Sequence, residues 1–304
     1  MKRAGFAVFV VLLAIFYITT NAQSRIPGNT IYVSSQGFLN TANLKPVYKT
    51  IAEAFKVVKR GDIILVYGKL REDSLITPLN IADVTIRGMG TRTRPGVTAV
   101  PNGLMAGGAD WANGEKNKTN PLLTIISAGW SIENMHFSNT ANITSVRLDR
   151  NGSTRTANYT QFIDCAFYGG IRGIEDNGGS YNVGIYNSLF YKSVTAIGST
   201  STGQALPLMW EIIGNRFVQN QTHIRMPLSN STIKNNILFK DGYENSNLVA
   251  INLSGGKNNV ITQNNLVHSF NLRGYVNRAY LSGTGDAWGP NYYSGGEVYG
   301  VPRE

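Results

Sequence analysis

The sequence predicts an all-β solenoid, a parallel β-helix, and two observations carry that prediction. First, one six-residue phrase returns six times between Ile132 and Leu266. It reads Ile132-Glu-Asn-Met-His-Phe137, Phe162-Ile-Asp-Cys-Ala-Phe167, Ile185-Tyr-Asn-Ser-Leu-Phe190, Ile212-Ile-Gly-Asn-Arg-Phe217, Ile233-Lys-Asn-Asn-Ile-Leu238 and Ile261-Thr-Gln-Asn-Asn-Leu266. The opening residues stand 30, 23, 27, 21 and 28 positions apart. That is a mean period of about 26, within the range of solenoid repeats. Second, these phrases lack apolar residues at i, i+3, i+4 and i+7, and are rich in Ile, Val, Phe, Tyr, Thr, Asn and Gly. Such residues suit short strands and tight turns.

Within each phrase, two apolar anchors five residues apart bracket a polar pair. The anchors should point inward from two strands that turn a corner between them. The third position holds Asn134, Asp164, Asn187, Gly214, Asn235 and Gln263. Asn, Asp and Gly enter the left-handed backbone region most cheaply. Stacked Asn amides should also bond from coil to coil as a ladder, and Phe137, Phe167, Phe190 and Phe217 should form one interior row.

Composition agrees with a structured, turn-rich chain: 33 Gly, 42% hydrophobic and 15% charged residues. The formal net charge is +10, or +8 with Lys2 and Arg3 set aside. A basic surface favours acidic partners, whether uronic-acid polysaccharide, phosphate-bearing surface polymers or nucleic acid, and charge alone does not separate these. The basic residues are scattered without a run of five, which argues against nucleic acid. The single Cys165 excludes an internal disulfide, and no spacing suggests a zinc site.

Residues 1–22 read as a signal peptide. Lys2 and Arg3 precede an apolar run from Ala4 to Ile18, and Thr20-Asn21-Ala22 supplies small residues for cleavage. The run is shorter than a typical membrane span, so the expectation is export, with no stable span after cleavage. The β-helix should occupy residues 23–270. Its start carries Ile51, Ala54, Phe55 and Val58 at helical spacing, a capping helix over about 50–60 with Thr50 as N-cap and Glu53 completing a capping box. A long loop is expected over about 91–119, and residues 271–304 form a Gly- and Tyr-rich tail outside the repeat.

The stretch Thr50-Ile-x-x-Ala-Phe, Gly61-Asp62-Ile-Ile-Leu-Val and Gly68-x-Leu-x-Glu72 resembles the opening of pectin-lyase-like right-handed β-helix proteins. That resemblance spans Thr30 to Leu266 and implies right-handed coils whose first edge is covered by the helix. Three further stretches resemble virion-associated or tailspike-like β-helix proteins of tailed phages and marine viruses. They are Val84-Thr-Ile-Arg-Gly-Met-Gly-Thr-Arg-Thr-Arg-Pro95, Ala106-Gly-Gly-Ala-Asp-Trp111 and Gly285-Asp-Ala-Trp288. That second resemblance implies surface-polysaccharide binding and a homotrimer.

The second strand of each coil carries the candidate chemistry. Aligning Arg147-Leu-Asp-Arg150 with Ile174-Glu-Asp176, Ile197-Gly-Ser-Thr200 and Ile224-Arg225 puts Asp149 beside Glu175 and Arg150 beside Asp176. In the lyases of this superfamily, such acids bind Ca²⁺ or deliver a proton while Arg or Lys abstracts one beside a uronate carboxylate. Asp149, Glu175 and Asp176 are therefore the candidate acids and Ca²⁺ ligands. Arg150, Arg172 and Arg225 are their candidate basic partners. Arg147, His223 and Trp111 are candidates for substrate contact. Trp130, Trp210, Trp288 and the tyrosines of the repeat offer faces for stacking on sugar rings. The same charged residues equally suit a ladder of ion pairs that keeps register, and no lyase ligand set is matched residue by residue. Three functions stay open: a polysaccharide-binding protein, a polysaccharide lyase or less readily a glycoside hydrolase, and a structural decoration.

Overall fold

A computed structural model describes residues 28–34, 46–89, 109–112, 120–139, 142–152, 154–155, 157–200, 206–240, 250–268, 285–289, 291–293 and 298–299. Its strands form three long parallel sheets around one core, with 11, 10 and 7 members, here called sheets A, B and C. Consecutive coils lie in register, so residues some 21 to 30 positions apart become neighbours. This is a right-handed parallel β-helix: the repeat predicts the parallel coils, and the resemblance of the opening stretch implies their hand.

The six phrases are the A–B corners. Their opening anchors Ile132, Phe162, Ile185, Ile212, Ile233 and Ile261 lie on sheet A, at most 1% exposed. Their closing anchors lie on sheet B and fill the same core. Phe137, Phe167, Phe190 and Phe217 form one row, with ring centroids 5.1, 4.7 and 5.0 Å apart and planes within 8° of parallel. The third position has positive φ in every phrase, between 49° and 71°. The amide ladder, however, forms one residue later and inside. The Asn215, Asn236, Asn264 and Asn291 side chains pass from coil to coil, each Oδ1 accepting the backbone N–H of the coil before at 2.8–3.0 Å. The third-position side chains point outward.

Other expectations are corrected. The helix is only Ile51–Phe55, not three turns. Thr50 caps it as predicted, accepting from Glu53 N at 3.1 Å, and Glu72 accepts from the Ile51 and Ala52 amides at 2.7 and 3.0 Å. Asp62 ties off the far side by accepting from Lys59 N at 2.7 Å, which stops the helix early. Ile51, Ala54 and Val58 still face the core. Within the stretch expected to be a loop, Ala109–Ala112 is a sheet B strand paired with Lys69–Arg71 and Met135–Ser138. The tail also rejoins the solenoid. Ala287–Trp288 extends sheet A, Asn291–Tyr293 extends sheet B, and Val298–Tyr299 pairs antiparallel with the latter. Its rung lacks an Ile anchor but keeps the ladder residue Asn291. The expected signal peptide, residues 1–22, lies outside the described residues.

Candidate functional site

Sheet C departs from simple in-out alternation, and that departure sets the site. Its rungs bury runs rather than alternate residues: 143–146, 173–176, 195–198 and 223–224. The polar residues flanking Val146, Ile174, Ile197 and Ile224 then fall into rows from coil to coil. Register lines up Thr124, Arg147, Glu175, Gly198, Arg225 and Asn252 in one row. Thr144, Arg172, Thr195 and Thr222 make a parallel row.

Glu175 is the hub of that face, although it is 1% exposed. Its carboxylate accepts from Thr144 Oγ1 at 2.7 Å, Thr200 Oγ1 at 2.8 Å and Arg147 Nη2 at 3.4 Å. Arg172 Nη1 lies 3.8 Å from the same oxygen that Arg147 approaches. Burial alone would raise its pKa, but the two hydroxyls and two guanidinium groups outweigh burial and hold it below the ordinary value. Glu175 is therefore ionised at neutral pH, and its lone pairs are spent on neighbours.

The predicted acid pair does not form. Register sets Arg147 beside Glu175 and Leu148 beside Asp176, two residues away from the alignment that put Asp149 beside Glu175. A slip of two leaves every side chain on its predicted face, so apolar periodicity could not decide it. Asp149 instead accepts from Asn177 Nδ2 at 3.1 Å and Arg150 N at 2.7 Å. Asp176 is 0% exposed and holds a turn, accepting from Gly179 N, Ser180 N and Ser180 Oγ. Burial raises its pKa despite these donors and the nearby Arg150 charge. Arg150 does not pair with it as a base but donates to the Gly178 carbonyl at 2.8 Å, stapling two coils. Among the described residues no three of His, Cys, Asp or Glu cluster closely enough to hold a metal, so Asp149, Glu175 and Asp176 do not form the Ca²⁺ ligand set expected of them.

Two of the predicted substrate contacts are interior. Trp111 is fully buried, 5.5 Å from the Phe137 ring, and donates to the Glu72 carbonyl at 3.1 Å. His223 is 1% exposed, with its ring 5.7 Å from that of Phe217. Trp130 and Trp210 are likewise buried, each indole N–H held by a backbone carbonyl. Tyr159 is 52% exposed.

What remains is a cationic face. Arg225 is exposed two coils beyond Glu175. The coil between them carries Gly198, where an added Cβ would stand 3.2 Å from Arg172 Nε. Arg172 thus lies across the space that Gly198 leaves open. The alignment of Ile197 with Ile174 set Gly198 beside Glu175, as the register has it, but sequence reading gave no role to Gly198, Thr144 or Thr200. Arg147, Arg172 and Arg225 supply three positive charges against the one charge of Glu175. Planar guanidinium forks match carboxylates bidentately.

No protein-family model matches the sequence, and no curated protein is similar to it. Solved structures do match. Its fold is similar to that of the pectate lyase Pel9A. The TM-score is 0.57 at 13% identity, over 88% of this chain and 70% of that one. The PL6 family alginate lyase AlyGC also matches, with a TM-score of 0.36 at 11% identity, over 86% of this chain and 40% of that one.

Proposed function

We propose that the chain is an exported β-helix protein that binds an acidic polysaccharide along the outer face of sheet C, through Arg147, Arg172 and Arg225. The observation that carries this reading is the excess of guanidinium groups around one buried, fully hydrogen-bonded carboxylate. Cations held on three coils of one face, Arg147 and Arg225 in one row and Arg172 in the row beside it, suit a polymer that bears carboxylates. Charge-assisted bonds would supply affinity, and the basic net charge would steer encounter. The resemblance of Val84–Pro95 to tailspike-like proteins supports a virion or cell-surface setting and a homotrimer, which light scattering of the purified chain tests. Calorimetric titration of the full chain with oligogalacturonate and oligoalginate at low and high salt tests the binding. Absence of heat with both at low salt overturns it.

A second reading, lyase activity, draws on the fold shared with Pel9A. β-Elimination needs an unprotonated base beside the uronate. On this face the Glu175 carboxylate is already taken up by Thr144, Thr200 and Arg147, so binding is the better-supported reading. The absorbance of unsaturated uronate, followed with and without Ca²⁺, decides between them.

A further inference from the structure

A second surface lies at the A–B corner, the one corner that sheet C does not touch. There a groove of about 690 Å³ opens across five successive coils. Its walls carry Arg87 and Glu133 from sheet A, Asp164 and Asn187 from the corner, and Arg216 from sheet B. The corner side chains part around Asp164. Asn134, one coil before, leans back to donate to the Gly88 carbonyl at 2.9 Å. Asn187, one coil after, leans forward, its Oδ1 2.6 Å from where a Gly214 Cβ would stand. Asp164, exposed with φ of 53°, stands in the gap between them.

The charges of this groove cancel. Arg87 Nε donates to Glu133 Oε2 at 2.7 Å, and Ser131 Oγ donates to the other carboxylate oxygen at 2.9 Å, so that pair is neutral and fixed. Asp164 and Arg216 contribute one charge of each sign. An anion entering here meets Asp164 and Glu133, and a cation meets Arg87 and Arg216. An apolar ligand would have to strip water from four charged groups. A polyhydroxylated ring meets none of these penalties. It both donates and accepts, and carboxylate, amide and guanidinium groups on successive coils offer it acceptors and donors at fixed spacing.

We propose that this corner groove binds a neutral oligosaccharide. The site differs from the cationic face in position and in chemistry, since its affinity should barely depend on salt. The test is calorimetric titration of the full chain with cellohexaose, maltohexaose and xylohexaose, at 20 mM and 300 mM salt. The expected result is binding of at least one of the three, with less than a twofold change between the two salts. Ile163→Trp, which fills the groove from a strand position, and Asp164→Asn, which suits a left-handed corner, should each lower that affinity at least tenfold. Arg225→Ala should leave it unchanged. Thermal melting of each variant reports folding, and Asp164→Asn serves if Ile163→Trp fails to fold. The proposal is overturned by no binding of any of the three, by binding that survives both substitutions, or by acidic oligosaccharides competing for the groove.

Discussion

Glu175 and Arg147 face each other across one coil of the solenoid, Nη2 to Oε2 3.4 Å, with the carboxylate buried and the guanidinium about one-third exposed. One partner is thus fixed in the wall while the other reaches the surface. A buried carboxylate held by two hydroxyls and two cations fixes where those cations sit.

The first prediction follows from the lowered pKa of Glu175. A carboxyl whose folded pKa lies below its unfolded value, 4.5, adds stability that is fully present above that value. The contribution is lost as pH falls through the folded pKa. Glu175→Gln should therefore cost about 2 kcal/mol at neutral pH, the order expected for a hydrogen-bonded buried charge. The gap between wild type and variant should hold steady down to about pH 4.5 and close below it. Urea midpoints across the acid range check this. A gap that widens on acidification would contradict the assignment.

Phe190 tests the core row. It lies between Phe167 at 4.7 Å and Phe217 at 5.0 Å, both nearly parallel to it. Phe190→Ala should cost about 3–5 kcal/mol, because rigid neighbouring coils cannot collapse into the space. Phe190→Leu should cost well under half of that, since the same row already accepts Leu238 and Leu266. Denaturant midpoints of the two variants give the ratio.

Much of this core was legible in the sequence. The anchors at Ile132 and Phe137, and their counterparts in five later phrases, carry the period in residues whose burial is their whole role. The corners were legible too, because Asn134, Asp164 and Asn187 occupy a backbone region that few residues accept. The site was less so. The strands of sheet C bury runs such as 173–176, which no apolar alternation announces. Asp176 therefore reads like its neighbour Glu175 although one holds a turn and the other lines a surface. Trp111 misleads for a different reason. A large amphipathic ring in a Gly-rich stretch suits a sugar platform, and only the rung Ala109–Ala112 shows it turned inward.

Asn236 separates a ladder of amides from mere polar filling. Its Oδ1 accepts from the Asn215 backbone and side chain, while its Nδ2 donates to the Ile212 carbonyl at 2.8 Å and to Asn264 Oδ1 at 2.9 Å. Asn236→Ala removes the side-chain partner of Asn215 N and of the Ile212 carbonyl, and one of two partners each from Asn215 Nδ2 and Asn264 Oδ1, and should cost about 2–4 kcal/mol. Asn236→Asp should cost more at neutral pH, because it sets an anion against two acceptor oxygens. Burial and those acceptors would raise the folded pKa of the new carboxyl, so the extra penalty should shrink as pH falls and the acid becomes a donor. Melting temperatures of both variants at neutral and acidic pH check the reversal.

Arg225 is the cation of sheet C most readily removed without disturbing the wall, being exposed and opposite Gly198. Arg225→Ala should weaken oligogalacturonate binding about tenfold, the size of one charge-assisted contact. Arg225→Glu should weaken it further by repulsion. Both should flatten the dependence of affinity on salt, since one fewer cation is screened. Gly198→Leu attacks the same place sterically, because its side chain would occupy the space that Arg172 crosses. It should lower affinity while leaving most of the salt dependence, as all three guanidinium groups remain. Charge removal and crowding would then have different signatures at adjacent positions. If Arg225→Ala and Gly198→Leu both bind oligogalacturonate as tightly as wild type at low salt, the polymer does not lie along this face.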